Sequence, residues 1–248
     1  MFQSIPSQKL KQLAFYSGIT LILFSLLFVF ILPFKPAISN HSGFSSTILS
    51  FELAKNPIEI MNILGKPGDA QLPHRVESFS RAVGLDYFYI FVYSLFFLFS
   101  FEIFIQNLRS TNLLRVSFFL LLISLISADI LENLYQAELL DSSLGFISQE
   151  LLSIMFLLGI TKWVLFTLVI GFLGFVIFFS NSTPMKYFGL FLVIPTFLLC
   201  LLYTNLWILE LNLGVSTVGI LFLTIHFWKT GFGSLRSKQV PVFIKSSF

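Results

Sequence analysis

Charge is scarce in this chain. Asp, Glu, Lys and Arg make up 11% of its 248 residues, where a soluble domain carries roughly a quarter. So little charge cannot cover a water-facing surface, and with 56% hydrophobic residues and a mean hydropathy of +0.90 the solvent must be lipid. Cysteine is nearly absent. The single Cys200, inside an apolar run, excludes an intrachain disulfide and a cysteine-based metal centre. Histidine is limited to His41, His74 and His226, too scattered for a histidine metal site; no metal is expected, and no motif names a cofactor. There is no Asp-rich magnesium motif of prenyl-transfer type, no Ser–His pairing and no His-x-x-x-His zinc pattern. Those absences remove most hydrolase and transferase chemistries and leave reactions that need only an acid and a base.

What is abundant is apolar length. Runs at Leu13–Phe34, Leu85–Ile105, Leu113–Leu134, Trp163–Phe179, Tyr187–Leu209 and Leu211–Trp228 are each of the order needed to cross a hydrocarbon core of about 30 Å. The sequence therefore predicts an all-α, polytopic membrane protein of about six transmembrane helices, with residues 1–248 forming a single integral membrane domain. The first run exceeds the apolar core of a signal peptide and lacks a small-x-small cleavage site, so it reads as a retained helix. The last two runs are parted by little more than Glu210 and predict a hairpin over 187–228. Leu151–Thr161 either extends the fourth run into a long, tilted helix or forms a separate interfacial or re-entrant piece broken near Gly159, and the second reading is favoured. The 33 Phe carry no functional signal, because Phe and Leu are interchangeable to lipid. The formal charge of +3 reflects Lys and Arg in short loops and tails, which is the pattern left by membrane insertion and gives no indication of nucleic acid as a partner. Their distribution favours cytoplasmic N- and C-termini, with residues 35–84 as an extracytoplasmic loop. The partner is the lipid bilayer.

That loop contains a helical pair. Asn56-Pro57-Ile58-Glu59 is a capping pattern that starts a helix, and Gly65-Lys66-Pro67 stops it. The preceding Ser46–Lys55 stretch puts Ile48, Leu49, Phe51 and Leu53 on one broad face, with Glu52 in its middle. A carboxylate there needs a partner, unless the helix boundary falls elsewhere or Glu52 bends to water. Asp86 opens the second long run, with Tyr89 and Tyr93 on the same helical face. In the third, Asp129, Glu132, Asn133 and Gln136 fall at i, i+3, i+4 and i+7, a polar stripe on an apolar helix. Lys162 and Trp163 open the fourth. Ionisable groups at membrane depth cost about 2.5–3.5 kcal/mol each and normally face a bundle interior or water. Asp129 and Glu132, one turn apart, should share a proton or recruit a cation, with Lys162 the nearest counter-charge. The expected site therefore gathers Glu52, Asp86, Tyr93, Asp129, Glu132, Asn133 and Lys162 near the outer membrane face. Against it stands a plain packing role, since polar side chains also bond helix to helix in membranes. Trp163, Tyr87 and Tyr89 read as an aromatic belt, Cys200 and Asn205 as packing residues, and Glu102 and Glu210 as helix-end carboxylates that reach the interface.

The succession Phe51-Glu52-Leu53-Ala54, Leu85-Asp86-Tyr87-Phe88, Asp129-Ile130-Leu131-Glu132-Asn133 and Lys162-Trp163 resembles an uncharacterised family of bacterial multi-pass membrane proteins. That family carries Phe-Glu-Leu-Ala, Leu-Asp-x-x-Phe, Asp-x-x-Glu-Asn and Lys-Trp elements in this order; here the fourth residue of the second element is Phe88, with Tyr at 87 and 89. The resemblance covers about Ile48 to Phe166, leaving the final hairpin outside. It implies a bacterial cytoplasmic (inner) membrane and a shared site, without an assigned activity. Three functions fit these residues. One is binding or transport of a small cationic or polar ligand. Another is a membrane-embedded enzyme acting on a lipid or isoprenoid by carboxylate acid/base chemistry, and the third is an assembly or scaffold subunit.

Overall fold

The computed structural model describes residues 6–32, 35–40, 44–108, 111–142, 147–180, 183–198 and 208–237. The chain is an all-helical membrane protein, with no strand among the described residues. Its elements are α1 (Ser7–Ile31), α2 (Thr47–Glu52), α3 (Pro57–Leu64), α4 (Leu72–Ile105), α5 (Asn112–Asp141), α6 (Gln149–Ser180), α7 (Thr183–Leu198) and α8 (Ile208–Ser237). Among the described residues, five helices (α1, α4, α5, α6 and α8) are long and apolar enough to cross a membrane, and α7 is a shorter apolar helix. Cys200 and Asn205 lie outside the described residues.

The helical runs differ from the apolar runs in instructive ways. Helix α4 starts at Leu72, not at Leu85. Residues 72–84 thus belong to the helix rather than to the preceding loop, and Asp86 sits well inside it. The polar stretch His74–Arg81 hid this, because a helix that leaves the hydrocarbon no longer needs apolar side chains. Helix α6 runs unbroken from Gln149 to Ser180, so Leu151–Thr161 is not a separate segment and Lys162 is internal. Gly159 does not break the helix; it makes room. A Cβ there would lie 3.0 Å from the Glu52 carbonyl oxygen, 3.1 Å from Leu53 and 3.2 Å from Glu132 Oε1. Glu210 belongs to the first turn of α8, so it does not divide the last two runs.

Helices α4, α5 and α6 run alternately up and down. Phe101 of α4 stacks on Phe118 of α5, ring centroids 4.0 Å apart, beside the short turn that joins them. This Phe-rich layer, with Phe96, Phe97 and Phe227, is one core. A second core gathers at the other end, where the extensions of α4–α6 meet α2 and α3 through Phe51, Ile60, Ile63, Phe79, Leu139, Leu152 and Met155. It forms a cap over the bundle. The predicted helical pair is present there. Ser46 caps α2 by accepting from Leu49 N, Asn56 caps α3 by accepting from Glu59 N at 3.1 Å, and Gly65 at φ 112° ends α3.

Candidate functional site

Between the two cores lies a polar layer. Asp86 is 19 residues before the end of α4, Asp129 17 residues into α5, and Lys162 18 residues before the end of α6. At about 1.5 Å per residue these are all about 26–29 Å from the α4–α5 turn. Three helices therefore deliver ionisable groups to one level, close to a hydrocarbon thickness from that end.

Lys162 stands at the centre. Its Nζ donates to Glu52 Oε1 at 2.9 Å, lies against Glu132 Oε2, and is 3.6 Å from Asp129 Oδ1. All four are buried: Glu132 completely, Asp129, Lys162 and Glu52 to 6, 7 and 8% exposure. Trp163 Nε1 donates to the second oxygen of Glu52 at 2.8 Å. Glu52 is delivered by α2, whose apolar neighbours Leu49, Leu53 and Phe51 hold it down, and so meets its partner on α6. The remaining carboxylates have other donors. Tyr93 OH donates to Asp129 Oδ2 at 2.8 Å, and Asn133 Nδ2 to Asp86 Oδ2 at 2.7 Å. The structure thus brings together all seven residues singled out in the sequence. Among the described residues no set of three Asp, Glu, His or Cys side chains is arranged around a metal position; the ammonium of Lys162 occupies the middle of the carboxylates.

Trp163, Gln136 and Glu210 lie outside the site expected from sequence. Trp163 is more than a belt residue, since its indole donates to Glu52. Gln136, the last member of the α5 stripe, is 5% exposed and its Nε2 makes no hydrogen bond. Its i+7 spacing from Asp129 was the available signal. Glu210, read as an interfacial carboxylate, accepts from Ser45 N and Ser46 N, each at 2.7 Å, and from Ser45 Oγ at 3.0 Å. It fastens the start of α2 to α8. Nothing in the local sequence signals that pairing, since the partners are 164 and 165 residues apart.

Beside the network is a cavity of about 310 Å³. Helices α1, α2, α4, α5, α6 and α8 all contribute to its wall. Its polar end is made by Glu52, Asp86, Tyr93, Asp129, Asn133, Gln136 and Lys162, and its apolar sides include Phe28, Leu32, Phe79 and Leu213. Glu132 is not on the wall; it is sealed behind Lys162 and Gly159.

No protein-family model, curated protein or solved structure matches this chain. The chemistry of the site must therefore speak for itself. It divides in two. Glu52, Glu132, Lys162 and Trp163 form a lock that ties α2 to α5 and α6, with both carboxylates against the one ammonium. Asp86, Asp129, Tyr93, Asn133 and Gln136 form a face turned to the cavity. On that face Asp129 Oδ1, 3.6 Å from Lys162 Nζ, and Gln136 Nε2, two helical turns further along α5, make no hydrogen bond. The arrangement can receive a cationic or hydrogen-bonding group against Asp129 and Asp86, and an acceptor atom against Gln136.

Proposed function

We propose that this protein binds, and carries within the bacterial cytoplasmic membrane, a small cationic or polar ligand held in the cavity against Asp86 and Asp129. The observation that carries this reading is an imbalance of charge. Three carboxylates (Glu52, Asp129 and Glu132) share one ammonium, Lys162, and a fourth, Asp86, is held by the neutral Asn133 amide. A membrane interior penalises unpaired charge heavily, so the surplus favours a guest that brings positive charge or protons. The cavity volume falls at the lower edge of the roughly 300–1,000 Å³ range of small-molecule sites. In this reading both termini are cytoplasmic, the cap over residues 44–71 faces outward, and the site opens near the outer face. The four short sequence elements that resemble the uncharacterised membrane family then supply the lock and the cavity face of a common site.

Packing alone would leave a different pattern, one of mutually satisfied groups. The unpartnered Gln136 Nε2 speaks against it, because a buried donor without an acceptor costs about 1–3 kcal/mol.

The test is thermal unfolding of detergent-purified protein across a panel of cations, polyamines and lipids. The comparison proteins are Asp86→Asn, which spares the lock, and the double variant Asp129→Asn/Glu132→Gln. A ligand should raise the wild-type melting temperature and leave both variants unmoved. If no ligand acts on the wild type, and the double variant simply melts far lower, the cluster is a packing device and the scaffold reading replaces this one.

A further inference from the structure

The cavity has a side door. Helix α1 crosses α8 at Gly18, where an added Cβ would sit 2.2 Å from Thr224 Oγ1, and the pair stays close to Gly231, which approaches Lys11 and Gln12. Beyond Leu21 no residue of α1 is buried. There α1 leans on α4 instead, through Phe24–Phe88 and Phe28–Tyr89 ring contacts and the Ser25–Tyr89 hydroxyl pair at 3.3 Å. Over the same level α8 turns to α2 and α6, with Leu209 and Leu213 packed against Leu49, Leu53 and Trp163. The two helices are antiparallel, so Ser25 and Thr217, each seven residues from the Gly18–Thr224 crossing, face one another in height. Both line the cavity and both are exposed. Ser25 lies 12 residues into the apolar run that starts at Leu13, about 18 Å along the helix. Thr217 is nine residues inside the apolar part of α8. An opening between them lies at hydrocarbon depth and faces lipid tails.

Resting on the binding reading above, we infer that the ligand is a membrane-dissolved amphiphile with a primary-amine head, which reaches the cavity sideways between α1 and α8. Its ammonium lies against Asp129 and Asp86, an oxygen of its head accepts from Gln136 Nε2, and its chain leaves past Ser25 and Thr217 into the bilayer. Three independent features fit one molecule. The carboxylate surplus asks for a cation, the buried and unpartnered Gln136 donor asks for an acceptor, and a mouth at tail depth asks for an apolar chain. A compact water-soluble amine would use the first two only.

Trp163, on the cavity wall, provides the readout. In a full-length Trp207→Phe/Trp228→Phe protein in lipid nanodiscs it is the sole tryptophan. Its fluorescence is followed with three probes: 9,10-dibromostearylamine, the matching dibromostearic acid, and 4-bromobenzylamine, which is compact and water-soluble. The long amine should quench saturably and the acid should not. Asp86→Asn should weaken quenching by both amines at least tenfold. Ser25→Phe/Thr217→Phe, which narrows the mouth, should weaken the long amine at least tenfold and leave the compact amine within about twofold. Thr217→Leu, a single exposed change, serves if the double variant unfolds early. Unchanged access of the long amine in the narrowed proteins, or equal quenching by the acid, overturns the lateral amine proposal while leaving the binding site standing. Absence of Asp86-dependent quenching by either amine overturns the binding reading itself.

Discussion

Two clusters in this protein join a carboxylate to a cation across neighbouring helices, one beside the α4–α5 turn and one about midway along the long helices. Near the turn Arg115 donates to Glu102 at 3.2 Å. Midway along the bundle Lys162 faces Glu52, Asp129 and Glu132. The first is a one-to-one pair near helix ends, and its arginine keeps 23% of its side chain exposed. The second has one cation for several acids, is sealed from solvent, and borders a cavity. What separates glue from a site is therefore stoichiometry and adjacent space. A carboxylate in a membrane protein is unremarkable once it has a partner of its own, and it becomes informative when partners run short.

Substitutions can push this contrast in either direction. The largest effect is expected from Lys162→Met, which leaves three buried carboxylates facing one another. Removing one member of a buried ion pair costs about 3–5 kcal/mol, so this variant should melt far below wild type in detergent. Adding Glu132→Gln to it should restore part of the loss, because it removes one of the repelling charges. A double variant no better than the single would show that Lys162 acts by packing instead. Next comes Gly159→Val, whose branched side chain must displace the Glu52 carbonyl, Leu53 or Glu132. Limited proteolysis at Lys55 and Lys66 should accelerate, as the cap loosens before the bundle does. Arg115→Met should cost less, about 1 kcal/mol, in keeping with interhelical polar contacts in membranes. A loss matching that of Lys162→Met would erase the distinction between the two clusters.

The smallest shift belongs to Asp69, outside the bundle. Its carboxyl is held below the usual range by the Gln71 backbone N–H, then by Arg75, whose guanidinium also reaches the Leu64 carbonyl at 3.1 Å. A lowered folded value means that this contact stabilises above the unfolded value of about 3.9 and is lost as pH falls through the folded one. Melting curves between pH 7 and pH 3 should therefore converge for wild type and Asp69→Asn at the acid end. Curves that stay parallel would remove the charge from the explanation.

Sequence carried much of this and missed particular things for physical reasons. The α5 stripe was legible because helical spacing alone puts Asp129, Glu132, Asn133 and Gln136 on one face. Glu52 was legible because a carboxylate amid Leu49, Phe51 and Leu53 demands a partner. Helix ends were not legible, since hydropathy reports where lipid stops and a helix such as α4 continues into the cap with polar side chains. Gly159 misled for a related reason. Its small size looked like a break, while in three dimensions it is a place for another chain to pass. The Glu210 contact and the divergence of α1 from α8 depend on tertiary geometry, which no local pattern encodes.

Glu210 ties the head of α8 to Ser45 and Ser46, and Glu52 follows six residues later on the same short helix. The wall beside the opening and the carboxylate in the lock are thus two ends of one lever. Helix α8 cannot swing away from α1 without either tearing those hydrogen bonds or tugging Glu52 off Lys162, so the width of the mouth and the charge balance of the interior are mechanically geared to each other.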